Sequence, residues 1–143
     1  MIKDYIKEER FMLTYGDGLG NVDIEKLLEY HSGQKKIVTF TGVHPVSRFA
    51  SVEMDKNGEI IGWSEKKQLE EYISAGFFVM EKKIFDYLDD DCELEEAPME
   101  KLAKARQVAM YKHEGFWQCM DTYRDYKYLN ELWGSGNPQW KIW

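Results

Sequence analysis

Two aspartates stand where carboxylates can do chemistry. Asp17 sits in Gly16-Asp17-Gly18-Leu19-Gly20, directly after the apolar run Phe11-Met12-Leu13-Thr14-Tyr15. Asp121 closes the stretch Trp117-Gln118-Cys119-Met120-Asp121, just ahead of Thr122. An aspartate at the C-terminal end of a strand is well placed to hold Mg²⁺. Two of them sharing one ion with substrate phosphates is what phosphoryl-group transfer requires. Gly16 and Gly18 could cradle a phosphate at such a strand-to-helix turn, although their spacing matches neither the dinucleotide fingerprint nor the P-loop. Each motif also has a plainer reading: Asp17 as a turn residue with a capping role, and Asp121 or Thr122 as the cap of the final helix.

Other candidates are more ambiguous taken singly. Glu65-Lys66 ends a strand, where the lysine could bind a sugar phosphate or simply be solvated. Arg48 and Arg124 are open in the same way. Ser74-Ala75-Gly76 interrupts an aromatic strand with small residues, either to pack tightly or to let a ligand approach the backbone. His31, His44 and His113 have no ligand-like spacing and read as structural or surface residues.

The elements that must position these residues follow from periodicity. Residues 1–9 read as the end of an amphipathic helix with Ile2, Tyr5 and Ile6 on one face, and Phe11 to Tyr15 as a buried strand. Asp23 caps a helix whose apolar face is Ile24, Leu27, Leu28 and His31. Ile37 to Phe40 is a second buried strand, and Asn57-Gly58 joins a two-residue hairpin between 48–55 and 59–65. Further strands are expected over 72–80, 107–111 and 117–120, with helices over 82–88 and from Pro98 to Leu102. Thr122 caps a last helix that buries Tyr126, Leu129 and Leu132/Trp133 and stops at Gly134. Strands alternating with helices predict a mostly parallel α/β sheet with a small antiparallel hairpin excursion.

Composition narrows the field. With 143 residues and 43% apolar content, the chain can fold around one core and is too short for two ordinary domains. A net charge of −7 argues against nucleic acid as a partner, which needs a basic face. Cys92 and Cys119 form no framework, no apolar run approaches a membrane span, and the charged start lacks a signal-peptide core. A cytoplasmic protein with no membrane partner is expected.

Taken together, the motifs resemble the sugar-phosphate nucleotidyltransferase family, and its cytidylyltransferase branch in detail. The matching segments run in family order: residues 11–18, Gly-Phe-Phe-Val at 76–79, Ile-Phe-Asp-Tyr at 84–87 and Gly-Phe-Trp-Gln at 115–118. They continue with Met-Asp-Thr at 120–122, Arg-Asp at 124–125, Tyr-Leu-Asn-Glu-Leu-Trp at 128–133 and Trp-Lys-Ile-Trp at 140–143. The resemblance implies an incomplete Rossmann-like, nucleotide-diphospho-sugar transferase fold over 1–143, corresponding to the C-terminal part of the family domain. It also implies that CTP and α-D-glucose 1-phosphate are joined to give CDP-glucose and pyrophosphate, with Mg²⁺ as cofactor. On that reading Asp17 and Asp121 hold the metal, Gly16, Gly18 and Gly76 touch substrate, and Glu65 and Lys66 contact the sugar phosphate.

Several family features differ. The Gly-Gly-x-Gly-Thr-Arg loop that wraps the triphosphate has no counterpart in these residues. The usual Glu-Lys-Pro reads Glu65-Lys66-Lys67, Asn-Gly-Gly reads Ser74-Ala75-Gly76, and Arg-Phe-Gly reads Arg48-Phe49-Ala50. The chain is therefore expected to be a truncated or split chain, inactive alone, with a separate N-terminal half as one candidate partner; it is also expected to self-associate as a homo-oligomer. A non-catalytic binding or assembly module on the same scaffold is the alternative.

Overall fold

The computed structural model describes every residue except Met1, Lys66 and Trp143. Its strands are β1 (Arg10–Thr14), β2 (Gly18–Gly20), β3 (Val38–Val43), β4 (Ser51–Met54), β5 (Ile60–Ser64), β6 (Ile73–Glu81), β7 (Val108–Lys112) and β8 (Trp117–Cys119). The helices are α1 (Ile24–Gln34), α2 (Ala97–Lys104) and α3 (Tyr123–Gly134), with 3-10 turns at Ile2–Asp4 and Lys82–Asp86.

The central sheet has the order β1-β6-β3-β7. Strands β1 and β3 are antiparallel to β6, and β3 is parallel to β7. Three of its four strands therefore share one direction, which gives the expected mostly parallel sheet. The odd strand, β6, sits inside it and is covered on both faces. Its side chains alternate between two cores, as the period of two requires. Phe78 and Met80 join Val38, Ile84, Phe85 and Leu102 on one face, while Val79 meets Val22 and Leu27 on the other. Strands β4 and β5 form the predicted antiparallel excursion.

Local chemistry explains the helices. Asp23 accepts a hydrogen bond from the Lys26 amide at 3.0 Å and starts α1, whose buried residues are Leu27 and His31. His31 is structural: its Nδ1 lies 2.7 Å from the Thr39 hydroxyl and its Nε2 3.0 Å from Glu81. Pro98 lies in the first turn of α2, where a missing amide costs nothing. No described helix is long and apolar enough to cross a membrane.

Several expectations need correction. The helix expected over 82–88 is only the 3-10 turn Lys82–Asp86. The N-terminal segment makes only the 3-10 turn Ile2–Asp4, and Ile2 and Tyr5 are exposed because no neighbour covers them. Strand β1 is not buried on both faces: it lies at the sheet edge, with Arg10, Met12 and Thr14 exposed and Phe11 and Leu13 turned to the core. The hairpin turn spans three residues, not two. The Asp55 amide donates to Glu59 O, the Asp55 carboxylate accepts from the Asn57 and Glu59 amides, and Gly58 takes φ +87°. Finally, α3 buries Asp125 and Leu129, leaves Tyr126 and Trp133 exposed, and includes Gly134 as its last residue.

Candidate functional site

Strand direction decides where the site lies. Because β1, β3 and β7 run together, their C-terminal residues Thr14, Val43 and Lys112 reach the same end of the sheet, where the antiparallel β6 begins at Ile73. Open α/β sheets bind ligands at that end. The loops leaving these strands surround a cavity of about 1350 Å³. Its walls come from Tyr15, Asp17, Gly18, Val43–Ala50, Glu65, Ile73–Ala75 and His113–Cys119, and from α3 with the residues before it.

Asp17 and Asp121 both line this cavity. They arrive there differently from the sequence expectation, which had them ending two strands of a parallel sheet. Asp17 precedes β2 and Asp121 follows β8, and these strands form a separate antiparallel pair with Gly18 opposite Cys119. An antiparallel pair brings the start of one strand to the end of the other. The Met120 amide accordingly donates to Asp17 O at 2.8 Å. The pair is tied to the main sheet by Trp117, whose indole N–H donates to Ala75 O at 3.0 Å.

Asp121 stands at the N-terminus of α3, which is fixed by a capping box. Thr122 Oγ1 accepts from the Asp125 amide at 3.2 Å, and Asp125 Oδ2 accepts from the Thr122 amide at 2.9 Å. Asp125 is buried and accepts further bonds from Thr122 Oγ1 at 2.8 Å and Gln118 Nε2 at 3.2 Å. Burial works to raise its carboxyl, but the Thr122 bonds and the Arg48 charge outweigh this and hold it below the ordinary range. Arg48, from the β3–β4 segment, points one nitrogen at three groups. Its Nη2 lies 3.1 Å from Asp121 Oδ2, 3.4 Å from Asp125 Oδ2 and 3.6 Å from Cys119 Sγ. Burial, helped by Asp121, pushes the Cys119 thiol up despite Arg48.

Asp17 and Asp121 are the carboxylates of this cavity that could share a metal ion. Among the described residues no group of three or more His, Cys, Asp or Glu side chains is arranged to hold a metal. Two carboxylates lining a cavity suit an ion that keeps waters and completes its shell with ligand phosphates. They do not suit a closed protein cage.

The other sequence candidates divide. Glu65 and Gly18 line the cavity, whereas Lys66 lies outside the described residues. Gly16 and Gly76 are not on the cavity wall. Gly76 has φ +75°, and a Cβ there would fall 2.7 Å from the Tyr15 ring, so its glycine serves the packing of Tyr15. Arg124 lines the cavity with Lys127. His44 and His113, expected to be structural or surface residues, also face it. His44 packs with its ring centroid 3.8 Å from that of Tyr72, and His113 Nε2 lies 3.2 Å from Phe116 O. Sequence reasoning left Arg48 unresolved and gave Asp125 no role of its own. Thr-x-x-Asp at 122–125 is a readable capping signal, but nothing local marks a loop arginine that reaches residues more than seventy positions away.

Residues 1–134 match the family model described as nucleotidyl transferase. The chain is 41% identical over 143 residues to the Bacillus subtilis (strain 168) protein named "Probable glucose-1-phosphate cytidylyltransferase", covering 99% of this chain and 56% of that one. It is 35% identical over 145 residues to the glucose-1-phosphate cytidylyltransferase of Salmonella typhimurium (strain LT2), with the same two coverages. The chain thus spans a little over half the length of these relatives. Among solved structures, HddC from Yersinia pseudotuberculosis superposes with a TM-score of 0.67 at 21% identity, over 92% of this chain and 59% of that one, which is a likeness of fold.

Proposed function

The chain belongs to the nucleotidyl transferase family, and on that premise we propose that it is the metal- and sugar-phosphate-binding portion of an enzyme making CDP-glucose and pyrophosphate from CTP and α-D-glucose 1-phosphate. The observation that carries this reading is the meeting of Asp17 and Asp121 at one cavity, through the 2.8 Å bond between Met120 N and Asp17 O. The choice of cytidine and glucose rests on the similar proteins from Bacillus and Salmonella.

In the reaction, a phosphate oxygen of the sugar phosphate attacks the α-phosphorus of the nucleotide in line, the bond to the β-phosphate oxygen breaks, and pyrophosphate leaves. The attacking oxygen is already ionised, so no side chain need remove a proton. Asp17 and Asp121 would hold Mg²⁺, which neutralises phosphate charge when bound. Arg124 and Lys127 add positive charge along the wall. Glu65, Lys66 and Gly18 are assigned to the sugar phosphate. Gly76 makes room for the Tyr15 ring. The triphosphate itself needs a set of backbone amides such as a glycine-rich loop supplies, and these 143 residues contain no Gly-Gly-x-Gly-Thr-Arg loop.

Calorimetry with glucose 1-phosphate and Mg²⁺ tests the division. The chain is expected to bind the sugar phosphate in a Mg²⁺-dependent way, and Asp17→Asn and Asp121→Asn should each weaken this at least tenfold. CDP-glucose should form from CTP only when the remaining portion of a relative is supplied. Steady turnover by the chain alone, or aspartate variants that bind like the parent, would overturn the assignment.

A second reading is a non-catalytic assembly module. The exposed Ile60, Ile61 and Trp63 on the β4–β5 hairpin favour it. A chain that associates but binds no sugar phosphate in the same calorimetry would establish it.

A further inference from the structure

Arg48 occupies one of the two carboxylates that the proposed metal would need. Its Nη2 is 3.1 Å from Asp121 Oδ2 and 3.4 Å from Asp125 Oδ2, a carboxylate also bonded by Thr122 and Gln118. Asp121 is the nearer of the two carboxylates. The Arg48 and Asp121 side chains are about half exposed, at 48% and 50%, so their contact is open to exchange with a ligand. A divalent ion at Asp121 would meet a positive guanidinium within a few ångströms, and the two cations repel. A ligand phosphate in the same cavity reverses that balance, because a guanidinium presents several further N–H donors in a geometry suited to phosphate.

We propose that Arg48 is a phosphate-binding residue held in reserve on Asp121, which it surrenders to the divalent cation as it turns to the phosphate of the incoming ligand. This rests on the metal reading of Asp17 and Asp121 and deepens it. Arg48 opposes binding of the cation alone and favours binding of the sugar phosphate once the cation is in place. It thereby couples the two events and discourages a metal-loaded site without substrate. Asp125, fixed by the capping box, keeps the arginine within reach of both positions.

The test uses Mn²⁺ alone as the metal probe, followed by paramagnetic resonance, and then glucose 1-phosphate in saturating Mg²⁺, followed by calorimetry. Arg48→Ala should tighten Mn²⁺ binding roughly threefold to tenfold, as expected for removing a neighbouring unit charge. It should weaken glucose 1-phosphate binding by a similar factor. Arg48→Gln removes the charge but keeps a hydrogen-bonding side chain, and should shift both affinities the same way if the alanine variant does not fold. Unchanged or weaker Mn²⁺ binding in a folded variant overturns the proposal while leaving the metal site intact. Failure of both variants to fold would make Arg48 a structural tie and overturn it too. If Asp121→Asn binds Mn²⁺ like the parent, or the parent binds none, the metal reading itself fails and the proposal falls with it.

Discussion

Glu81 shows how much a single side chain can carry in this fold. Its Oε1 lies 3.0 Å from His31 Nε2 and accepts from Arg10 Nε at 2.8 Å, so it joins α1, β1 and β6. Burial works to raise its carboxyl, but the His31 and Arg10 bonds prevail and hold it below the ordinary range. A group with a lowered folded pKa stabilises the protein above its unfolded value, about 4. That stability is lost as pH falls through the folded value. Glu81→Gln should therefore cost about 1–3 kcal/mol at neutral pH and flatten the loss of stability below pH ~4. Urea melts at several pH values would check this, and parallel curves for parent and variant would refute it. The two aspartates were legible in the sequence because their type and place at strand ends are local facts. Arg48, His44 and His113 were not, since their relevance depends on which loops meet above the sheet.

Among the elements, β6 makes a specific demand on one residue. Gly76 sits at φ +75° in the strand, and its missing Cβ leaves room for Tyr15. Gly76→Ala should cost roughly 1–3 kcal/mol through backbone strain and the displaced ring. Thermal unfolding would measure it. A neutral result would release Gly76 from its packing role and return it to the substrate reading. Strands, helices and caps were largely readable because hydrophobic period and capping residues are written locally: Asp23 and Thr122 cap α1 and α3 as expected. The misreadings of burial share one cause, since burial is settled by neighbours. Phe11 to Tyr15 has the composition of a doubly covered strand but occupies an edge. The α3 stripe has helical spacing, yet only Leu129 among its predicted apolar residues is buried.

For the molecule as a whole, the edge position of β1 matters most. Strand β1 pairs with β6 on one side only, and its exposed residues are Arg10, Met12 and Thr14. An unpaired strand edge is a template for another strand. We expect the chain to self-associate at tens of micromolar, and Met12→Lys to suppress this, because position 12 faces outward and the change spares the core. Sedimentation velocity would decide, and a monomeric parent would remove the prediction. The β2–β8 pair has a different consequence, for the time course of folding. Gly18 and Cys119 are neighbours in space but about a hundred residues apart along the chain. Closing so long a loop costs entropy that β2 and β8, at three residues each, repay only modestly. Contacts of this kind form late. In refolding, the fluorescence change of Trp117 on docking against Ala75 should lag the far-ultraviolet signal of the central sheet; simultaneous signals would contradict this. During synthesis, Asp17 would leave the ribosome long before Asp121 and wait for nearly the whole chain, so a nascent chain stalled before Trp117 would hold most of the central sheet and only one of the two carboxylates.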